Sequence, residues 1–208
     1  MSINLSKGQK ISLTKDNERL SKIAVGLGWD EYTQKKEKGI KGFFKSMSEP
    51  VSHGSIDCDA TAFLLRNDKL DSSSKTADEV SYRSGSAQNN CVKHSGDNLT
   101  GAGDGDDETI KVDLDKVPED VNKIVFVVNI YQAKQRGQDF GMIENAFIRV
   151  YNREDNNELC KFNLTDNYKG KTALICGEIY RHNGEWKFNA IGEGTEDKSI
   201  QEMRERYE

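Results

Sequence analysis

Acidic side chains crowd residues 101–112, which read GAGDGDDETIKV. Four carboxylates fall within five positions, at Asp104, Asp106, Asp107 and Glu108, and glycines surround them. Carboxylates this close repel one another unless water or a cation offsets their charge. The stretch is therefore either a solvated surface loop, as acidic runs often are, or one part of a cation site.

An EF-hand calcium loop is the first pattern to test against this stretch. Counted from Asp97, the twelfth residue is Glu108, which matches the last ligand of that loop. The third residue, however, is Leu99 and the sixth is Ala102, where the pattern requires an oxygen ligand and a glycine. An alternating strand pattern follows instead of a helix, so an EF-hand is excluded.

A wider set of oxygen donors accompanies the acidic stretch. Residues 96–108 contain five carboxylates, one carboxamide and four glycines, and the glycines allow the backbone to curl so that carbonyls also face a ligand. Asp57 and Asp59 lie two positions apart in a predicted strand, which places both side chains on one face. Asp30 ends another predicted strand. Oxygen-only donors favour Ca²⁺ over zinc or copper.

These groups converge if the strand ends meet at one rim of a β-sandwich. The candidate metal ligands are then Asp30, Asp57, Asp59, Asp97, Asn98, Gly103, Asp104, Asp106, Asp107 and Glu108. Five or more carboxylates at one rim would be unfavourable without a cation. An alternative interpretation applies to Asp57 and Asp59, which precede the apolar half of their strand. In it, their charges protect a sheet edge from aggregation.

Strand signals dominate the elements that must position these groups. Runs of β-branched and aromatic residues, such as KIVFVVNIY at 123–131 and TALICGEIY at 172–180, are typical of interior strands. Asn183-Gly184 predicts a type I′ turn between GEIYRH and EWKFNAIG. About ten short strands with little helix predict an all-β fold, a β-sandwich of two antiparallel sheets.

Two segments do not fit the sandwich pattern, which is predicted to occupy residues 1–194. Residues 33–55 contain five lysines against two glutamates and read as a flexible basic insertion. Residues 195–208 have a helical rhythm, with Ile200, Met203 and Tyr207 on one side and Thr195 or Asp197 as the expected cap. Such a short helix is stable only if it docks on the rest of the chain.

Composition excludes several functional classes. The net charge of −5 and the pI near 5.4 give no support to nucleic-acid binding. The sequence shows no export signal and no membrane-spanning run, so a cytoplasmic location is expected. The four widely spaced cysteines are therefore expected to be reduced, and small thiols of this kind are usually buried. A hydrolase with a metal-activated water would need a general base, and no dedicated base is recognisable.

With these residues identified, the chain resembles the TerD family of tellurium-resistance and general stress proteins. The matching pieces occur in the family's order and cover most of the chain outside residues 33–55 and the tail. They are GLGWD (26–30), DCDATAFLL (57–65), VKHSGDNLTGAGDGDDETIKVDL (92–114), FGMIENAFIRVYN (140–152) and GEIYRHNGEWKFNAIGEG (177–194). The long central motif and YRHNGEWKF are specific to that family.

The resemblance implies a bacterial cytoplasmic β-sandwich that binds two neighbouring Ca²⁺ ions through acidic rim loops. It implies resistance to tellurite and other chemical stress, to phage and to colicins, without an enzymatic activity. It also implies action with other Ter-family proteins, some membrane-embedded, at the inner face of the membrane. The family's acidic positions carry over to the candidate ligands named above. As an alternative, the basic insertion suggests Ca²⁺-dependent docking on an anionic membrane or a partner.

Overall fold

In the computed structural model, which describes residues 2–15, 17, 19–31, 55–71, 78–96 and 105–208, twelve strands form two sheets. In chain order they are β1 (Ile3–Leu5), β2 (Lys10–Ser12), β3 (Lys22–Glu31), β4 (Cys58–Leu65), β5 (Glu79–Val80), β6 (Val92–His94), β7 (Glu108–Asp113), β8 (Lys123–Ile130), β9 (Ile143–Asn152), β10 (Glu158–Asn163), β11 (Ala173–His182) and β12 (Glu185–Thr195). The predicted basic insertion, apart from Ser55, lies outside the described residues.

The two sheets have six strands each and confirm the predicted β-sandwich. Sheet A has the order β1-β10-β9-β3-β7-β6, and sheet B has the order β2-β12-β11-β8-β4-β5. All pairings are antiparallel except that of β1 with β10. The edge strands β1 and β2 were not predicted, because three residues are too few to show an alternation. Strand β5 ends at Val80, where a turn begins.

The interior between the sheets is filled by the alternate residues of facing strands. From sheet A, β3 and β7 contribute the fully buried Ile23, Val25 and Ile110, and from sheet B, β8 contributes Ile124 and Phe126. Each such side chain contributes about 1.5–3 kcal/mol when it leaves water. All four cysteines are buried free thiols, as their apolar surroundings predicted.

The Asn183-Gly184 hairpin closes one end of sheet B. Both residues have positive φ, 53° and 77°, as the predicted type I′ turn requires. Beside the turn, the Arg181 guanidinium lies 4.4 Å from the Trp186 ring centre and donates to the Val117 carbonyl at 2.9 Å. The RHNGEW segment therefore has a structural role at the end of the sandwich opposite Glu108.

Within the described ranges, two short α-helices accompany the sheets, α1 (Ala133–Arg136) and α2 (Ile200–Glu205). Helix α2 packs on the outward face of sheet B, where Met203 is fully buried against a second apolar cluster that includes Phe63 and Val125. The expected cap at Thr195 or Asp197 is wrong. The cap is Ser199, whose hydroxyl oxygen accepts the Glu202 amide at 3.2 Å.

Removal of the Met203 side chain should loosen this helix from sheet B. We expect Met203→Ala to lower the free energy of unfolding by about 2–5 kcal/mol, because it leaves a cavity in a buried cluster. Glu205→Ala, on the exposed side of the same helix, should change it by less than about 0.5 kcal/mol. Urea unfolding of both variants measures the difference, and equal effects would contradict the docked helix.

Candidate functional site

Glu108 connects the two sheets at one rim of the sandwich. It opens β7, and its side chain follows Ile110 into the interior, where it is 0% exposed. Its Oε2 accepts the amide proton of Ala60 from β4 at 2.5 Å. Strand β5 pairs with β4 only from Ala62 onward. The carboxylate therefore supplies an acceptor to a part of β4 that β5 does not cover.

His94 fixes the orientation of this carboxylate. Its Nδ1 accepts the Gly96 amide at 3.2 Å, and its Nε2 lies 3.3 Å from Glu108 Oε2. Since Nδ1 is an acceptor, the ring proton is on Nε2 and is donated to Glu108. The other carboxylate oxygen, Oε1, is buried and has no hydrogen-bond partner among the described residues. Such a group is unfavourable by about 1–3 kcal/mol without a donor or a cation.

Asp107 lies beside Glu108 at an irregular point of β3. The register between β3 and β9 shifts between Gly28 and Asp30, which leaves the Trp29 amide outside the regular ladder. Asp107 Oδ2 accepts this amide at 2.7 Å, and the Asp107 amide donates to the Leu27 carbonyl at 2.8 Å. Both bonds hold the start of β7 against the end of β3.

The acidic groups at this rim affect one another's charge. Burial raises the pKa of the Asp107 carboxyl, and the hydrogen bond from the Trp29 amide partly offsets this rise. The neighbouring acids Asp30, Asp106 and Glu108 raise the pKa further. Burial also raises the pKa of the Cys58 thiol well above its usual value, and four carboxylates add to the rise. They belong to Asp59, Asp57, Glu108 and Asp107. The structure thus brings acids from β3, β4 and β7 together.

Asp106, one of the ligands predicted from sequence, forms an ion pair in this structure. Arg149 of β9 donates to both of its carboxylate oxygens, at 2.6 and 3.0 Å. The carboxylate lies over Gly26, where a Cβ atom would overlap it, and a Cβ at Gly28 would lie 2.5 Å from the Gly105 carbonyl. The two glycines of GLGW thus provide the space in which residues 105 and 106 lie on sheet A.

The remaining predicted ligands lie in different surroundings. Asp30 Oδ2 accepts the Asn145 side-chain amide at 2.8 Å. Asp57 immediately precedes β4, and its carbonyl accepts the Tyr131 amide. Asp59 is 4% exposed and faces outward from sheet B, on the same side of β4 as Phe63. Four predicted ligands lie outside the described residues: Asp97, Asn98, Gly103 and Asp104.

The oxygen donors in the described part of the rim are of the type that binds a hard cation, although these residues do not form a complete site. No group of three or more His, Cys, Asp or Glu side chains in the described ranges has a metal-holding arrangement. The available donors are carboxylate oxygens, and Glu108 Oε1 is a buried acceptor that needs a positive partner. Both His94 nitrogens already form hydrogen bonds. An oxygen-preferring ion such as Ca²⁺ matches this donor set.

Comparison with known proteins gives consistent results along the whole chain. The family model of the TerD domain matches residues 1–207. Stress response protein SCP2 of Bacillus subtilis (strain 168) is 48% identical over 211 residues, covering 100% of both chains. Tellurium resistance protein TerD of Serratia marcescens is 42% identical, covering 93% of this chain and 91% of that protein.

A homologue of telluride resistance protein (TerD) from Streptomyces coelicolor A3(2) is among the solved structures with a similar fold. Its TM-score is 0.60, with 19% identity over 88% of this chain and 94% of that one. At this identity the similarity concerns the fold alone. No helix in the described part of the present chain is long and apolar enough to cross a bilayer.

The raised pKa of Asp107 leads to a prediction for the metal-free protein. A carboxyl whose pKa is higher in the folded than in the unfolded state destabilises the fold as pH rises and it ionises. In chelator at neutral pH, Asp107→Asn should therefore raise the Tm, since the amide oxygen can still accept from Trp29. The gain should shrink as pH falls toward about 4, the ordinary pKa of aspartate.

The control for this comparison is Asp115→Asn, which removes an exposed carboxylate outside the cluster. Thermal melts followed by circular dichroism at several pH values measure both variants. A Tm for Asp107→Asn below that of the wild type at neutral pH would show that the charge of Asp107 stabilises the metal-free fold, contrary to this account.

Proposed function

This chain belongs to the TerD family of tellurium-resistance and general stress proteins, and we propose that it is a calcium-binding member acting as a binding module rather than as an enzyme. The observation that carries the proposal is the buried Glu108 carboxylate, whose Oε1 has no hydrogen-bond partner in the described ranges. The Asp107 side chain lies next to it, and two neighbouring carboxylates are favoured by a cation between them.

The residues that would hold the ion come from the position just before β4, from the start of β7 and from residues 97–104. Glu108, Asp107 and Asp57 are the described candidates. Asp97, Asn98, Gly103 and Asp104 are the candidates from sequence, and they would complete the six to eight oxygen ligands that Ca²⁺ requires. When bound, Ca²⁺ supplies the positive charge that offsets these carboxylates. The family resemblance suggests two neighbouring ions.

The residues around the proposed ligands hold them in position and do not bind the ion themselves. Ala60 and His94 occupy Glu108 Oε2 and so direct Oε1 away from both donors. Arg149 holds Asp106 against sheet A, which orients the chain just before Asp107. Because the Ala60–Glu108 bond connects both sheets, ligand binding at the rim should stabilise the whole fold by mass action.

The proposed cellular role follows the names of the relatives. They are called stress response and tellurium resistance proteins, and we extend that role to this chain. In this proposal it acts in the cytoplasm, where calcium-dependent ordering of the acidic rim presents a surface to other Ter-family proteins near the inner face of the membrane. Its net charge of −5 makes nucleic acid an unsuitable partner.

Calorimetric titration of the full chain with Ca²⁺ tests the proposal. The wild type should bind Ca²⁺ and show a higher Tm with Ca²⁺ than with chelator. Glu108→Gln should weaken binding at least about tenfold, because it removes one full charge while an amide oxygen can still accept from Ala60. Asp115→Asn, outside the cluster, should bind as the wild type does. Absence of both heat and Tm shift at millimolar Ca²⁺ would refute the proposal.

A further inference from the structure

A second polar cavity lies on the outward face of sheet B, where α2 begins. Its volume is about 220 Å³, and its walls come from β4, β8, α1 and the first residues of α2. Glu108 points between the sheets, whereas Asp59 and this face of β4 point away from them. Asp59 is one of the candidate calcium ligands predicted from sequence, but the proposed calcium site does not include it.

The floor of the cavity contains a buried acceptor without a donor. Asn129 of β8 is 4% exposed and lines the cavity, and its Oδ1 has no hydrogen-bond partner in the described part of the chain. Its register neighbour on β4 is Asp59, which also lines the cavity. Thr61, next along the same face of β4, has a buried hydroxyl that is likewise unpartnered there. Buried polar atoms are nearly always hydrogen-bonded, so Asn129 indicates a missing donor.

The mouth of the cavity is positively charged, opposite in sign to the Asp59 carboxylate. Arg83 and Lys198 both line it, and both side chains are exposed to solvent. Arg83 is near enough to Asp59 for their charges to interact. The cavity therefore has acceptors at its buried end and cations at its open end. A ligand that satisfies both ends needs a donor group and an anionic group a short distance apart.

We propose that this cavity binds a small zwitterionic amine of the α-amino acid class. Its ammonium group donates to Asn129 Oδ1 and faces the Asp59 carboxylate, and its carboxylate faces Arg83 and Lys198. The volume is below the roughly 300–1,000 Å³ typical of pockets for drug-sized ligands, which restricts the ligand to a few heavy atoms beyond the charged groups.

Titration of the ¹⁵N-labelled full chain with L-alanine tests the proposal. Ethylamine and propionate serve as matched probes that carry only the ammonium or only the carboxylate group. All titrations are made in chelator, so that the result does not depend on calcium binding. We expect L-alanine to shift the Asn129 side-chain amide signals saturably at millimolar concentration, and the two half-ligands to bind at least about tenfold more weakly.

The matched variants are Asn129→Leu and Asn189→Leu. Both remove a side chain with a buried unpartnered Oδ1 in sheet B, but Asn189 lies on β12, outside the cavity. Asn189→Leu also removes the hydrogen bond from Asn189 Nδ2 to Glu178 at 3.0 Å, so thermal melts verify that both variants fold. Asn129→Leu should bind L-alanine at least about tenfold more weakly, as followed by backbone amide shifts, and Asn189→Leu should bind it as the wild type does.

Three results would overturn the proposal. The first is the absence of a saturable shift with L-alanine. The second is unchanged L-alanine affinity in Asn129→Leu, which would place the ligand elsewhere. The third is ethylamine binding as tightly as L-alanine, which would remove the carboxylate and the cations at the mouth from recognition.

Discussion

The hydrogen bond from the Ala60 amide to the Glu108 carboxylate is the constraint on which the acidic rim depends. It places an ionisable group between two apolar sheets, where an uncompensated charge is unfavourable by several kcal/mol. His94 compensates one oxygen, and the other remains without a donor in the described ranges. A cation at this point would therefore act on both sheets at once, so occupancy of the site and stability of the fold are coupled.

The start of β7 is positioned by contacts that do not involve the proposed ion. The chain passes over Gly26 and Gly28 because neither has a Cβ atom to obstruct Gly105 and Asp106. Arg149 then holds Asp106 through two hydrogen bonds to its carboxylate. One acid of the crowded run is thus neutralised by the protein itself, and the next two are directed toward the rim. Within the acidic run, Asp106 therefore has a structural role, and the next two acids are available to the proposed ion.

Sequence patterns predicted the sandwich, the hairpin at Asn183 and the acidic rim, because alternation and turn chemistry are local signals. They did not reveal that Asp106 forms an ion pair whereas Asp107 and Glu108 are directed toward the rim. The partner of Asp106 is 43 positions away in sequence, and Arg149 looks like any outward residue of an alternating strand. His94 could have been suspected, since it shares the inward face of β6 with Val92. The cap at Ser199 was missed because Thr195 remains in strand β12.

Hydrogen exchange of the Ala60 and Trp29 amides, measured by NMR with chelator and with Ca²⁺, tests the central claim most directly. These amides donate to Glu108 and Asp107, so they report on the two carboxylates at the point where the ion is proposed to bind. Both amides should be protected in chelator and should exchange more slowly with Ca²⁺. Exchange of both amides that is unchanged by saturating Ca²⁺ would show that no ion binds beside these carboxylates.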